Sequence, residues 1–233
     1  MAKYETVAKD IVSRIKQREF EKNSKLPTED EMIEYYQVSR NTIRSALKLL
    51  TGQGIIYSRQ GSGFYIRQRN NENSIPIMGT NGLTYDFPNN TFTNQVLSIE
   101  LLEADEKLAK KMLCEIGDLI YYCQRLRILD DKKFALELSY YSKKVVPYLG
   151  REIAEQSIYS YLQNDLKLKF GFADKNIRAI KLDEYQSQLL GLNPGDPGLV
   201  VADTIYLDNG VLFNTSQIIY NYKYATFYAA AIR

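Results

Sequence analysis

Hydrophobic positions in the first seventy residues follow a helical period. Val7 and Ile11 lie on one predicted helix face together with Ile15. The segment Thr28–Glu31 has the S/T-x-x-E form of a capping box, in which each end side chain satisfies the other residue's free backbone N–H, so a second helix is predicted to begin there. Ser39 is suited to cap a third helix, which glycines near position 52 would end.

Two short apolar segments, 55–57 and 64–66, follow the third helix and predict a pair of strands. The turn between them reads Arg-Gln-Gly-Ser-Gly, and its glycines are free to adopt positive φ. Three helices followed by a two-stranded hairpin predict a winged helix-turn-helix, with the third helix in the position of a recognition helix.

Beyond a polar, Asn-rich stretch, the hydrophobic positions predict a mixture of strands and helices. Strands are predicted at about 95–102, 119–129, 134–142, 176–182, 199–207 and 211–221, and helices at about 105–114, 150–164 and 183–191. The segments Ile116–Asp118 and Pro194–Asp196 each follow a helix and precede two strands joined by a turn, which indicates a weak internal repeat. We therefore predict an α+β fold, with helices packed on an antiparallel sheet. The predicted boundaries are a winged helix-turn-helix at 1–69, a linker at 70–76 and a second domain at 77–233.

The distribution of charge separates the two predicted domains. Residues 1–70 contain 13 Lys and Arg against 8 Asp and Glu, whereas residues 71–233 contain 17 against 20. No residue from Tyr35 to Asn71 is acidic. Positive charge confined to one end of the chain indicates a polyanionic partner for that end.

The third predicted helix presents two different faces. Ile43 and Leu47 belong to an apolar face, whereas Arg40, Arg44 and Lys48 follow at four-residue intervals on another. Arg can donate two hydrogen bonds to guanine and Asn can pair with adenine, so this second face is suited to reading DNA. A merely solvated charged face would have the same spacing, but the acid-free window and the glycine turn favour DNA. The candidate DNA-binding residues are Ser39, Arg40, Asn41, Thr42, Arg44, Lys48, Arg59, Gln60, Gly61, Ser62 and Gly63.

Composition argues against catalysis and against a metal site. The chain has no His, which removes the commonest general base and metal ligand. Its two cysteines, Cys114 and Cys123, cannot build a four-cysteine zinc site. We expect no catalytic residues, no metal and no cofactor. The chain also lacks an apolar run of about 18 residues and an N-terminal signal peptide, so a cytoplasmic location without membrane contact is expected.

Four motifs stand in order within residues 4–66: Lys25–Glu29, Val38–Leu47, Gly54–Ile56 and Gly61–Gly63. In this combination they resemble the GntR family of bacterial transcription regulators. This resemblance implies a dimeric repressor that binds a palindromic operator through the recognition helix, at Arg40, Thr42 and Arg44, and through the tip of the wing. One position departs from the family pattern, since many members have Arg where this chain has Asp30.

Arg125 and Arg127 lie two residues apart in a predicted strand, where alternate side chains share a face. Their guanidinium groups are therefore expected side by side. Two adjacent cations require either neighbouring carboxylates or a bound anion, and the planar guanidinium suits a phosphate. The spacing alone leaves a structural salt bridge and an anion site both open.

The second predicted domain contains the motifs Arg125-Leu126-Arg127, Leu136-Glu137, Ser157-Ile158-Tyr159, Gly195-Asp196 and the segment Ser216–Tyr220. With these motifs, residues 75–233 resemble UTRA, the effector-binding domain of the HutC subfamily of GntR regulators, whose fold resembles chorismate lyase. The resemblance implies phosphate contacts by the two arginines, the serine and the tyrosine of Ser-x-Tyr, and sugar contacts by the acidic residue and the late tyrosine. The candidate effector-binding residues are Thr84, Arg125, Arg127, Glu137, Ser157, Tyr159, Asn214 and Tyr220.

The stretch at 146–162 most resembles trehalose operon repressors. The expected function is that of a homodimeric repressor of a carbohydrate uptake or utilisation operon, released from double-stranded operator DNA by a phosphorylated sugar, with trehalose 6-phosphate as the first candidate. Three alternatives stay open: a response to another small anion such as an amino-sugar phosphate or a carboxylate, an activator, and an enzyme of chorismate lyase-like fold. Asn214, Asn221 and Lys223 depart from the pattern of sugar-phosphate binders.

Overall fold

The computed structural model describes residues 2–20, 24–67, 74–77, 82–83, 87 and 90–229. These residues divide into two compact units, one built from the described residues up to Arg67 together with Ala229, and the other from those between Ser74 and Tyr228. Within these ranges, no helix is long and apolar enough to cross a membrane.

The first unit is a winged helix-turn-helix, as the sequence predicts. Its elements are α1 (Lys3–Lys16), α2 (Glu29–Tyr36), α3 (Arg40–Gly52), β1 (Ile56–Arg59) and β2 (Gly63–Ile66). The apolar faces of the three helices and the first strand meet in one core, which contains Val7, Ile11, Met32, Ile43, Leu47, Leu50 and Ile56. β1 and β2 pair antiparallel to form the wing.

Local capping fixes the helix-turn-helix. The Thr28 backbone N–H donates to Glu31 Oε2 at 2.7 Å, and Glu31 N–H donates back to Thr28 Oγ1 at 3.3 Å, so the predicted capping box is confirmed. Gln37 adopts a left-handed conformation with φ of 50° and makes the tight turn. Ser39 Oγ then accepts from the Thr42 backbone N–H at 3.3 Å and starts α3.

The second unit is an α+β fold around a six-stranded antiparallel sheet. Its strands and helices, in chain order, are β3 (Ile75–Pro76), β4 (Phe92–Glu103), α4 (Glu106–Met112), β5 (Leu119–Leu129), β6 (Lys132–Ser142), α5 (Arg151–Ala154), α6 (Ile158–Ser160), β7 (Phe170–Lys181), α7 (Glu184–Leu190), β8 (Pro197–Leu207), β9 (Leu212–Asn221) and β10 (Phe227–Tyr228). Residues 161–165 form a π-helical turn. The strand order of the sheet is β4-β5-β6-β9-β8-β7, and a short parallel pair, β3 with β10, lies outside it.

The two faces of this sheet carry different side chains. On one face, Leu126, Leu136, Val200 and Ile219 from the central strands form an apolar layer with Leu190 of α7. Because strand side chains alternate, the residues between them point to the other face. That second face bears the polar residues of a cavity, with an apolar cluster at one end that includes Tyr141, Phe213 and Ile158.

The predicted internal repeat is confirmed by matching backbone hydrogen bonds. Ala104 N–H donates to Asp118 O and Gly117 N–H donates to Ala104 O, while Leu182 N–H donates to Asp196 O and Gly195 N–H donates to Leu182 O. The two glycines have nearly equal positive φ angles, 87° and 86°. The halves β4-β5-β6 and β7-β8-β9 therefore meet at the β6–β9 pairing as a pseudo-symmetric sheet.

Two predicted elements need correction. The helix predicted at 150–164 is interrupted between α5 and α6, because the carbonyl groups of Glu155 and Gln156 accept hydrogen bonds from the Asn94 side chain instead of continuing the helix. Ile75 and Pro76, assigned to the linker, form β3, since Ile75 is buried in an apolar cluster of the second unit.

Candidate DNA-binding surface and ligand cavity

The recognition helix presents its basic residues on an exposed face. Ile43, Ala46, Leu47 and Leu50 of α3 are buried, whereas Arg40, Asn41, Arg44 and Lys48 are exposed. This division follows directly from the 3.6-residue period of the helix. The four predicted residues therefore share the exposed face of α3, beginning at its N-terminus. Ser39 and Thr42 lie beside them but bond to each other, with 2.9 Å between their hydroxyl oxygens.

Two carboxylates of α2 contact the arginines of the recognition helix. Arg44 Nε lies 2.9 Å from Glu29 Oε2, and Arg40 Nη2 lies 2.6 Å from Asp30 Oδ1. Arg40 Nη1 is also 3.8 Å from Glu29 Oε2. The sequence gives a signal for these contacts, because Glu29 and Asp30 stand in the first turn of α2, a few residues before the acid-free window. From the sequence, both residues belong to the capping segment and Asp30 also departs from the family pattern, but neither contact is predicted.

The wing brings its five predicted residues into one tight turn. Gly61 and Gly63 have φ angles of 70° and 101°, which glycine adopts without strain. The guanidinium of Arg59 lies 4.8 Å from the centre of the Tyr65 ring. Ser62 Oγ is 2.5 Å from the Tyr65 hydroxyl, so Tyr65 contacts both Arg59 and Ser62 of the turn. Gln60 is exposed at the same turn.

In the second unit, Arg125 and Arg127 lie side by side on β5 and line the cavity, as predicted. Glu137 on β6 sits directly opposite Arg125. Arg125 Nη2 donates to both carboxylate oxygens of Glu137 at 2.8 Å, and Arg127 Nη1 donates to Glu137 Oε2 at 2.8 Å. The two arginines therefore share one buried carboxylate, so the salt-bridge interpretation describes the observed contacts. They also line the cavity, and their binding of an anion stays a prediction.

Electrostatics keep Glu137 ionised in this cluster. Burial alone raises the pKa of the Glu137 carboxyl, but the charges and hydrogen bonds of Arg125 and Arg127 outweigh burial and lower its pKa to about 2. Ser139 Oγ donates a further hydrogen bond to Glu137 Oε1 at 2.9 Å. Hydrogen bonds from three side chains, those of Arg125, Arg127 and Ser139, therefore hold Glu137 as an ionised carboxylate.

Arg125 also joins the sheet to the segment that carries Ser157 and Tyr159. Its Nη1 donates to the Ala154 carbonyl at 2.9 Å and to the Gln156 carbonyl at 3.3 Å. Ser157 and Tyr159 follow directly and line the cavity. Ser157 and Tyr159 therefore lie in the same cavity as the arginine pair, as predicted. The carbonyl of Gln156, in the break of the predicted helix, is one of the groups that bind Arg125.

The remaining predicted effector residues have different positions. Tyr220 lines the cavity from β9. Asn214 lies behind the cavity wall, because it is fully buried, donates to the Tyr140 carbonyl at 3.0 Å and accepts from the Tyr159 hydroxyl at 3.3 Å. Its predicted direct ligand contact is therefore corrected to support of Tyr159. Thr84 lies outside the described residues.

Two residues at the end of β9 depart from the family pattern, Asn221 within the strand and Lys223 just after it. Asn221 is buried, and its side-chain amide donates to the carbonyls of Lys133 and Leu190 at 3.1 and 3.2 Å. The Lys223 backbone N–H donates to the Asn221 side chain at 3.1 Å. Asn221 therefore holds the end of β9 against β6 and α7 rather than facing the cavity.

The sequence reasoning missed a second ion pair in the cavity. Lys175 of β7 and Asp203 of β8 are register partners that line it, with Lys175 Nζ 2.8 Å from Asp203 Oδ1. Ser216 of β9 is the next residue across the sheet and also lines the cavity. Burial raises the pKa of the Asp203 carboxyl, although Lys175 opposes the shift. The sequence signal is a single acid inside the largely apolar segment 199–207.

The backbone of Gly82 lies close to the ring of Tyr159. It has a φ of +83°, and a Cβ built on it would lie 3.1 Å from Cδ2 of Tyr159. The Tyr159 ring also packs edge-on against Phe170, with 5.3 Å between ring centres. The tyrosine is thus enclosed by backbone on one side and an aromatic ring on the other.

A winged helix-turn-helix with a basic recognition helix, joined to a separate sheet domain with a charged cavity, defines a ligand-responsive DNA-binding protein. Residues 3–66 match the family model described as bacterial regulatory proteins, gntR family, and residues 89–225 match the UTRA domain. The chain therefore belongs to the GntR family of bacterial transcription regulators, in the group that carries a UTRA domain.

Individual relatives agree with this assignment. The chain is 31% identical over 231 residues to YydK of Bacillus subtilis, an uncharacterised HTH-type transcriptional regulator, covering 99% of this chain and 98% of the relative. The crystal structure of YydK superposes with a TM-score of 0.81 at 30% identity and full coverage of both chains. TreR of Bacillus subtilis is 30% identical over 92% of this chain and 91% of its own length. The TreR effector-binding domain, from a trehalose repressor, matches with a TM-score of 0.55 at 28% identity, covering 60% of this chain and 98% of that domain.

Proposed function

We propose that this GntR/UTRA regulator is a homodimeric repressor of a carbohydrate operon that leaves its operator when a phosphorylated sugar binds, with trehalose 6-phosphate as the first candidate. The observation that carries the proposal is the buried arginine pair in the cavity, beside Ser157 and Tyr159. Because its work is on operator DNA, we place the protein in the cytoplasm and expect no catalytic turnover.

The charge of the cavity supports an anionic ligand. Among the described residues, three cations line it, Arg125, Arg127 and Lys175, against two carboxylates, Glu137 and Asp203. Buried cations are costly unless their charge is balanced. Among these residues the cations outnumber the carboxylates by one, and the planar guanidinium groups suit the oxygens of a phosphate.

The other cavity residues support a ligand with hydroxyl groups. Asp203 offers carboxylate oxygens as acceptors, Ser216 offers a hydroxyl, and Tyr220 offers an aromatic ring beside them. A sugar presents hydroxyl groups and an apolar ring face, so it satisfies both kinds of group. The relation to the trehalose repressor of Bacillus subtilis supports trehalose 6-phosphate as the first compound to test.

Binding of the sugar phosphate and binding of DNA must be linked. If the effector weakens operator binding by some factor, operator DNA weakens effector binding by the same factor. We propose that the effector favours a form of the dimer whose recognition helices no longer match the spacing of the two half-sites.

Isothermal titration calorimetry of the full chain with trehalose 6-phosphate and with trehalose tests the ligand class. Heat of binding is expected for the phosphorylated sugar and none for trehalose. The conservative variant Ser157→Ala should weaken trehalose 6-phosphate about tenfold, the value of one lost hydrogen bond to a charged group. Equal binding of both sugars would contradict a phosphate site, and binding of neither would exclude trehalose compounds as effectors.

A further inference from the structure

Arg40 and Asp30 form a contact that bears on how this surface selects DNA. Asp30 stands in the first turn of α2 and Arg40 is the first residue of α3, and the packing of the two helices sets the 2.6 Å distance between Arg40 Nη2 and Asp30 Oδ1. Both side chains are exposed, at 52% for Arg40 and 76% for Asp30. The pair therefore lies on the surface that DNA would cover.

The other acids of the same turn have shorter contacts with other residues than with Arg40. Glu31 completes the capping box with Thr28. Glu29 Oε2 lies 2.9 Å from Arg44 Nε, against 3.8 Å from Arg40 Nη1, and 25% of its side chain is exposed. Asp30 takes no part in the cap, and the contact that the structure gives its side chain is the one with Arg40.

DNA phosphates compete with Asp30 for the same guanidinium. Sequence-independent binding depends on cations that neutralise phosphates and release counterions. Asp30 forms an ion pair with one such cation, Arg40, and its negative charge repels phosphates. Asp30 therefore opposes sequence-independent binding to DNA. Base edges are different, because a carboxylate can accept from the amino group of cytosine while Arg donates to the O6 and N7 of guanine.

We propose that Asp30 is a specificity-determining residue. Its carboxylate competes with phosphates for Arg40 on DNA of any sequence. Arg40 binds DNA where the base edges form hydrogen bonds with both side chains. The inference rests on the operator binding proposed above. It assigns Asp30 a role in rejecting wrong DNA as well as in recognising the right site, since discrimination is a difference between two affinities.

The test compares the full-length protein with Asp30→Asn and with Glu34→Gln. Glu34 is exposed one helical turn further along α2, so this control removes the same charge without touching the Arg40 contact. A selection from a library of randomised duplexes first supplies the sequence that the wild type enriches. Fluorescence anisotropy then measures the affinity of each protein for that duplex and for a scrambled duplex, over a series of salt concentrations.

Asp30→Asn is expected to tighten binding to the scrambled duplex about tenfold and to reduce the ratio of specific to non-specific affinity by a similar factor. The salt dependence on scrambled DNA should steepen by about one unit for each phosphate that Arg40 gains. Glu34→Gln should change both quantities much less. In an Arg40→Ala background, Asp30→Asn should have no such effect, because the cation that it releases is absent.

Three results would overturn the inference. Equal effects of Asp30→Asn and Glu34→Gln would reduce Asp30 to a general surface charge. An unchanged affinity ratio, or an effect that persists without Arg40, would remove the link to this contact. If the wild type enriches no sequence from the library, operator binding itself fails, and this result is distinguishable because it appears before any variant is compared.

Discussion

Glu137 lies directly opposite Arg125 across the β5–β6 pairing, and Arg125 Nη2 is 2.8 Å from each of its carboxylate oxygens. The same carboxylate also holds Arg127. One acid thus keeps two buried cations in place at the wall of a cavity. The arrangement is a structural element of the sheet, and under the proposed function it also forms the surface that binds the phosphate.

Replacing Glu137 by Gln removes the charge that balances both arginines. Because uncompensated buried charge is costly, we expect Glu137→Gln to lower the free energy of unfolding of the second unit by about 3–5 kcal/mol. Urea unfolding followed by circular dichroism measures this value. Glu155→Gln is the matched control, since its partner Arg151 is exposed and 3.9 Å away, and it should change stability little. Equal stability of both variants would contradict a structural role for the buried pair.

The same carboxylate predicts how stability depends on pH. Folding lowers the pKa of Glu137 from 4.5 to about 2, so the unfolded chain takes up its proton first as the pH falls. The contribution of this group to stability is complete above about pH 5 and is lost as the pH falls toward 2. Urea unfolding at a series of pH values should show a smaller acid loss for Glu137→Gln than for the wild type. Parallel pH profiles for the two proteins would show that the folded-state pKa is not depressed.

Asn94 supports the cavity from outside it. Its amide nitrogen donates to the Glu155 and Gln156 carbonyls at 3.0 and 3.1 Å, just before Ser157. We expect Asn94→Ala to lower stability by about 1–3 kcal/mol and to weaken effector binding about tenfold, with operator affinity unchanged. Calorimetry and anisotropy measure the two affinities. Thr93→Ala, at an exposed neighbouring position of β4, is the control, and a loss of effector affinity there equal to that of Asn94→Ala would count against the positioning role.

Arg44 is the predicted base-reading residue that Glu29 orients. We expect Arg44→Ala to cost about 1–3 kcal/mol of affinity for the selected operator duplex if it contacts a base. Lys9→Ala removes one exposed positive charge from α1 and should cost much less. Anisotropy at fixed salt compares the two, since affinity for DNA depends steeply on salt. If Arg44→Ala weakens operator and scrambled DNA by the same factor, Arg44 binds phosphate and reads no base.

Local sequence signals predict the first unit well, because its boundaries depend on residues three or four positions apart. Thr28 and Ser39 cap the helices that they are predicted to cap, and the spacing of Ile43 and Leu47 separates the buried face of α3 from the basic one. The hydrogen bonds that fix these features form within a single helical turn. The repeated glycine turns are also closed by local bonds, because the Asp118 N–H donates to the Glu115 carbonyl and the Asp196 N–H donates to the Asn193 carbonyl.

Contacts between distant residues explain what the sequence could not predict. The break in the helix before Ser157 depends on Asn94, about sixty positions earlier in the chain. The hydrogen bond between Asn214 and Tyr159 likewise joins residues that are far apart in the sequence. Lys175 and Asp203 meet only through strand register. Residue spacing carries no information about which strands become neighbours, so these members of the site emerge only from the folded sheet.

The most direct measurement is the release of DNA by the effector. Labelled operator duplex is bound by the full chain at fixed salt, and anisotropy is followed during titration with trehalose 6-phosphate, glucosamine 6-phosphate, glucose 6-phosphate and unphosphorylated trehalose. We predict that one phosphorylated sugar, with trehalose 6-phosphate first, releases the DNA while trehalose does not. Tight operator binding that persists at saturating levels of every phosphorylated sugar would contradict control of this regulator by a sugar phosphate.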